Sequence, residues 1–172
     1  MKIAVISDTH DNTVAVSWII DYLNEQNIKL AFHAGDMISP GIVRRFEQQY
    51  HGMLHYVFGN NDGELSAITQ MAVKTKKLVC HNREMDLELD SKKIFMNHYS
   101  FVSESVAATG KYDIAIGGHD HTYRTKKLKG CLFINPGHTV LPDKYTFEET
   151  AMSFVILDIH SLKVEKILIP TI

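Results

Sequence analysis

The chain has 172 residues, 45% of them hydrophobic and 22% charged, which is the composition of one globular domain spanning 1–172 and excludes a disordered or fibrous protein. Its formal net charge of −2 argues against electrostatically driven nucleic-acid binding, which needs many Lys and Arg against phosphates, but leaves open small anionic substrates held by metal. Two cysteines, Cys80 and Cys131, are too few for a disulfide framework and read as structural thiols. The N-terminus carries no charged leader ahead of a long apolar core, and no apolar run approaches the roughly 20 residues of a membrane span. A cytoplasmic protein with no membrane partner is expected, and an oligomer is compatible with these features.

The run Lys2-Ile-Ala-Val-Ile-Ser7 predicts a buried strand that stops at the polar cluster Asp8-Thr9-His10-Asp11-Asn12. Apolar residues at Val14, Trp18, Ile19, Tyr22 and Leu23 predict a helix over 14–26, capped by Asn12 or Thr13. Leu30–His33 predicts a second strand ending at Ala34-Gly35-Asp36, and Pro40-Gly41 opens a short helix through Phe46. Leu54–Phe58 predicts a third strand running into Gly59-Asn60-Asn61-Asp62-Gly63, with a short helix over 65–71. Beyond Leu78 the pattern alternates. Met85–Leu89 and Lys93–Met96 flank Asp90-Ser91 as a hairpin. A small helix over 103–109 precedes the strand Asp113–Ile116, which stops at Gly117-Gly118-His119-Asp120-His121. Two more hairpins are expected, 124–128 with 131–134 and 153–159 with 163–169. The order β-α-β-α-β followed by hairpins predicts an α/β fold with mixed sheets.

The chemistry-bearing residues fall where strands end: Asp8 and His10, then Asp36, then Asn60, then His119 and His121. In open α/β sheets ligands bind at the carboxyl ends of strands, so loops distant in sequence are expected to meet at one edge. A nitrogen and oxygen donor set without thiolate suits Mn, Fe, Zn, Ni or Co. Asp8-x-His10 and His119-x-His121, on extended segments, would point both side chains of each pair to one side.

The ordered series Asp8-x-His10, Gly35-Asp36, Gly59-Asn60-x-Asp62, His98 and Gly118-His119-x-His121 resembles the signature of the calcineurin-like metallophosphoesterases. Asn135-Pro136-Gly137 resembles a further element of their small single-domain bacterial and archaeal phosphodiesterases. The resemblance implies two mixed β-sheets packed as a sandwich with flanking helices. It also implies two divalent transition metal ions, manganese foremost, with Asp8, His10 and His121 on one, Asn60, His98 and His119 on the other, and Asp36 bridging. A metal-bridging hydroxide would then attack the phosphorus of a small phosphoester in line with the leaving oxygen. The same fold serves as a non-catalytic interaction scaffold in the small subunit of retromer; the complete ligand set here favours the enzyme.

The chain departs from the family pattern in three places. Tyr99 and Ser100 follow His98, where the family usually has glycine and often a second histidine. Asn61 stands where larger members have a histidine that protonates the leaving oxygen, so Asp62 and His138 are the remaining candidates for that role. His138 occupies the position of a common serine, and contact with substrate or a place at the metal edge are both open. His33 reads as a satisfied core histidine, with support of a ligand loop as the alternative.

Overall fold

The computed structural model describes residues 1–140 and 151–170. In chain order these form β1 (Lys2–Ile6), α1 (Thr13–Glu25), β2 (Leu30–His33), α2 (Pro40–Gln49), β3 (Met53–Tyr56), α3 (Leu65–Lys74), β4 (Leu78–Cys80) and β5 (Glu84–Leu89). Then follow β6 (Lys92–Tyr99), α4 (Ser100–Ala107), β7 (Ile114–Gly118), β8 (Arg124–Leu128), β9 (Cys131–Asn135), β10 (Ser153–Asp158) and β11 (Lys163–Leu168).

One sheet has the order β11-β10-β1-β2-β3-β4, the other β5-β6-β7-β9-β8. Both are mixed. β1 through β4 run parallel while β10 and β11 join antiparallel; β6, β7 and β9 run parallel between the antiparallel edges β5 and β8. Alternation along the strands explains the layers. Ile3 and Val5 of β1, Phe32 of β2 and Val155 and Leu157 of β10 face Ile94, Met96, Ile114, Ile116 and Ile134 of the other sheet across one buried layer. The opposite face of β1, Ala4 and Ile6, packs with α1 and α2 residues such as Ile19, Ile20, Ile42 and Phe46. Ala115, Phe133 and Cys131 pack against Ala107 of α4. The result is four layers, helix–sheet–sheet–helix, as expected.

Asn12 caps α1, its Oδ1 accepting from Ala15 N at 3.1 Å, which settles the choice between Asn12 and Thr13. The hairpin turns are as expected at Asp90-Ser91, both with positive φ (46° and 61°), and at Lys129-Gly130 (45° and 89°), the left-handed pair that a two-residue turn needs. Helices α2 and α3 each run three residues past their expected ends, to Gln49 and Lys74, and two further elements differ from expectation. Helix α4 starts at Ser100 instead of Ser103, because β6 runs on to Tyr99 and turns directly into it. Leu78–Cys80, not expected as a separate strand, pairs parallel to β3.

This topology decides where the loops go. The carboxyl ends of β1, β2 and β3 in one sheet and of β6, β7 and β9 in the other open onto a common edge, where residues 8–12, 34–39, 57–63, 98, 119–121 and 136–139 meet.

Candidate metal centre

Asp8 and Asp36 are buried, and the imidazoles gather around them. His121 Nε2 lies 3.4 Å and His10 Nε2 3.8 Å from Asp8 Oδ1. On the other side, His10 Nε2 and His98 Nε2 each lie 3.5 Å from Asp36 Oδ2. His98 Nε2 is 2.9 Å from Asn60 Oδ1 and 3.3 Å from His119 Nδ1. All seven residues singled out as ligands in the sequence thus converge, and two sets, Asp8-His10-His121 and Asp8-Asp36-His98, bring their donor atoms close enough to hold a cation.

The Ala34 carbonyl accepts from His98 Nδ1–H at 2.9 Å, and the ring turns Nε2 inward to Asn60 Oδ1 and Asp36 Oδ2. That is the arrangement of metal-ligating histidines, whose other N–H is tied to a carbonyl or carboxylate. Asp8 Oδ1 and His10 Nε2 are buried without a hydrogen-bond partner. Stranded polar atoms cost about 1–3 kcal/mol each, a penalty that a divalent cation between them removes. Burial disfavours the Asp8 carboxylate, but His10 and His121, the His98 charge and the Ser7 hydroxyl outweigh burial and hold the carboxyl well below the usual range. Its other oxygen, Oδ2, accepts from Ser7 Oγ at 2.6 Å and from His119 N at 2.9 Å.

The backbone achieves this by a route other than the extended segments expected. Asp8 (φ 53°), His10 (42°), Asp36 (59°), His119 (72°) and His121 (56°) all lie in the left-handed region. Asp and His tolerate it better than most residues, and the loops are tied together: Asp8 N donates to Gly35 O and His10 N to Asp36 O, both at 3.0 Å. Gly59 is required for close approach, since a Cβ there would collide with Asp36 Oδ1 and stand 2.7 Å from Asp36 N.

Around the ligands lies a shell of polar side chains. Asn61 grips the Asp36 carboxylate with two donors, N to Oδ1 and Nδ2 to Oδ2, both at 2.8 Å. Asp62, a candidate proton donor, has both oxygens engaged instead: Oδ2 accepts from Gly59 N at 2.7 Å and Asp36 N at 3.0 Å, and Oδ1 from Ile38 N at 2.8 Å. It clamps the Asp36 loop to the Asn60 loop. His138 is buried and stacked on His121, with ring centroids 5.2 Å apart; its Nδ1 accepts from Val140 N. Of the two alternatives open for it, this geometry favours the metal edge. His33 is a satisfied core histidine that also supports the Asp36 loop, accepting from Gly35 N through Nδ1 and facing Thr9 Oγ1 through Nε2; burial pushes its pKa down to about 4.

Sequence reasoning missed a bracket behind His119 and His121. Asp120 between them takes two hydrogen bonds from Arg124, at 2.7 and 2.8 Å, and one from Asn135 Nδ2 at 2.8 Å. Asn135 also donates to the Gly118 carbonyl at 3.1 Å. The i, i+4 spacing of Asp120 and Arg124 was the available signal, but no helix is present to give it meaning.

Nitrogen and oxygen donors converging on buried carboxylates, without thiolate, at the carboxyl edge of a two-sheet sandwich define a class: metal-dependent phosphoesterases. The chain belongs to the calcineurin-like phosphoesterase superfamily, whose domain model matches residues 1–162. It is 30% identical over 139 residues to a phosphodiesterase of Methanocaldococcus jannaschii, covering 80% of this chain and 83% of that one. A probable metallophosphoesterase of Mycoplasma genitalium is 26% identical over 97% of this chain and 99% of its own length. Among solved structures, an archaeal phosphodiesterase superposes with TM-score 0.86 at 27% identity, over 98% of this chain and all of the other. Vps29 of Entamoeba histolytica superposes with TM-score 0.68 at 20% identity, over 99% and 100% of the two chains, a likeness of fold alone.

Proposed function

We propose that the chain, as one domain, is a dinuclear phosphodiesterase that hydrolyses small phosphodiesters. The observation that carries this reading is the inward convergence of ligand atoms: Nε2 of His98 faces Asn60 Oδ1 and Asp36 Oδ2 while its Nδ1–H is tied to Ala34, and Asp8 Oδ1 and His10 Nε2 are stranded. In this reading Asp8, His10 and His121 hold one ion, Asn60, His98 and His119 the other, and Asp36 is shared. Two divalent transition ions, manganese first among Mn, Ni, Co, Fe and Zn, supply Lewis acidity to activate water and to neutralise phosphoryl charge.

The remaining work falls to the chain. Asp36 is oriented by Asn61, and Asp62 sets the distance between the Asp36 and Asn60 loops. Ser7 and the His119 N–H hold Asp8 Oδ2, leaving Oδ1 toward His10 and His121. His138 packs behind His121 and fixes its ring. We assign the protein to the cytoplasm; no helix of the described residues is long and apolar enough to cross a membrane. A second reading, a non-catalytic scaffold, draws support from the likeness to Vps29, but the complete donor set favours the enzyme.

The test is to strip the protein with chelator and titrate metal while following both bound metal and hydrolysis of bis(4-nitrophenyl) phosphate. Two ions per chain and recovery by Mn²⁺, Ni²⁺ or Co²⁺ ahead of Ca²⁺ are expected, because imidazole ligands disfavour a hard oxygen-seeking cation. No uptake of any transition ion would favour the scaffold.

A further inference from the structure

The departure after His98 puts the ring of Tyr99 where the family pattern has glycine, and Phe101 follows two residues on. Tyr99 ends β6 and is half-buried. Its ring meets His119 edge-on at 4.8 Å and His98 at 5.3 Å between centroids. Phe101, in the first turn of α4, lies 5.7 Å from Tyr99 with the planes inclined at 42°. Phe101 is 66% exposed, while every other described phenylalanine is buried.

Phe101 thus presents its ring to water next to Tyr99, which borders the proposed site. The Tyr99 hydroxyl has no hydrogen-bond partner among the described residues, so it too is available to a ligand. The flank matters as well. Tyr99 touches the two imidazoles that, with Asn60, make up one half of the proposed site, whereas Asp8, His10 and His121 make up the other. A phosphoryl group seated between the halves would direct one ester arm along the Tyr99 side.

We infer that Tyr99 and Phe101 form a stacking platform for a planar aromatic group, an aryl ring or a nucleobase, carried by the phosphoester. This rests on the phosphoesterase reading and names its substrate class. A π-face accepts any flat ring without demanding particular hydrogen bonds. Base–aromatic stacking strengthens binding by about 5–150-fold per ring.

The experiment compares three monoesters of equal phosphate chemistry, methyl phosphate, phenyl phosphate and adenosine 5′-monophosphate, by calorimetric titration into the Mn²⁺-loaded protein. At least one ring-bearing ligand should bind about tenfold or more tightly than methyl phosphate. Phe101→Ala should draw that ratio toward unity, and Phe101→Trp should restore it; thermal melting verifies the fold of each. Preference for phenyl phosphate alone identifies an aryl platform, and preference for the nucleotide alone a nucleobase platform. Equal dissociation constants for all three ligands in the unaltered protein, or a ratio indifferent to Phe101→Ala, would overturn the platform and leave the phosphoesterase reading intact. Failure of all three ligands to bind would remove both.

Discussion

Asp62→Asn separates a loop clamp from a proton donor. The Asp62 carboxylate accepts three backbone N–H groups, from Gly59, Asp36 and Ile38. An amide offers only one oxygen. Its best orientation places that oxygen where Oδ2 accepts from Gly59 and Asp36, and turns the NH₂ toward the Ile38 N–H, donor against donor. One charge-assisted bond is lost, at about 1.5–3 kcal/mol, an N–H is stranded at a further ~1–3 kcal/mol, and the two surviving bonds weaken. Ile38 is held at φ 76°, a conformation that a β-branched residue avoids, so relaxation of its loop recovers part of this. Because Asp62 is only half-buried, water recovers more. A net loss of about 2–4 kcal/mol follows, which for a domain of this size lowers Tm by about 5–15 °C.

The clamp also sets the Asp36–Asn60 spacing, so metal affinity should fall with stability. The assays are calorimetric Tm and Mn²⁺ titration, alongside the pH dependence of kcat/KM for an alkyl diester. Unchanged Tm and metal affinity with loss of the basic limb of that profile would refute the clamp and make Asp62 the general acid.

Other consequences are as direct. Asp36→Asn removes the anion that offsets repulsion between two cations, so activity should fall by several orders of magnitude at saturating metal with the fold retained, as circular dichroism would verify. Burial and the neighbouring His81 push the His55 pKa down to about 4; the unfolded chain therefore binds the proton first, and stability present above pH ~6.5 should be lost as pH falls toward ~4, with a slope of up to about 1.4 kcal/mol per pH unit that His55→Gln flattens in acid denaturation. Asn61→His introduces a donor for the leaving oxygen while removing a bond to Asp36, so overall rate should drop but the alkyl-to-aryl ratio of kcat/KM should rise; an unmoved ratio would refute the leaving-group argument.

Much of the fold and most of the proposed ligand set were legible in the sequence for one physical reason. Buried parallel strands read as short apolar runs, and a run that halts at Asp, Asn or His marks the carboxyl end where loops converge. Asp8, Asp36, Asn60, His119 and His121 all announce themselves in this way. What stayed hidden is local geometry. Leu78–Cys80 is three residues long, and its pairing to β3 is a non-local event without a pattern of its own. Helix α4 begins without a side-chain cap at Tyr99, so nothing marked its start. The Asp62 clamp and the Asp120–Arg124–Asn135 bracket are hydrogen bonds made by loop residues whose composition alone reads as ordinary turn chemistry.

The left-handed ligand backbone bears on the choice between enzyme and scaffold. Non-glycine residues held in that region cost of order 1–3 kcal/mol each, with Asp and His toward the lower end. Five such residues, Asp8, His10, Asp36, His119 and His121, lie in one cluster around two buried carboxylates. Hydrogen bonds among the loops, through Asp62, Asn61, Asn135 and the Gly35 carbonyl, over-determine the conformation and keep it from relaxing. A surface that only docks a partner gains nothing from turning imidazoles inward onto Asp8 Oδ1 and leaving that oxygen and His10 Nε2 without hydrogen bonds. A cation centre gains directly, because these turns bring the ligand atoms of Asp8, His10 and His121, and of Asp8, Asp36 and His98, within reach of one another. Backbone strain, the stranded atoms and the tie of His98 Nδ1 to the Ala34 carbonyl are three independent features with one common explanation, which is why the metal-dependent reading outweighs a likeness of fold to Vps29.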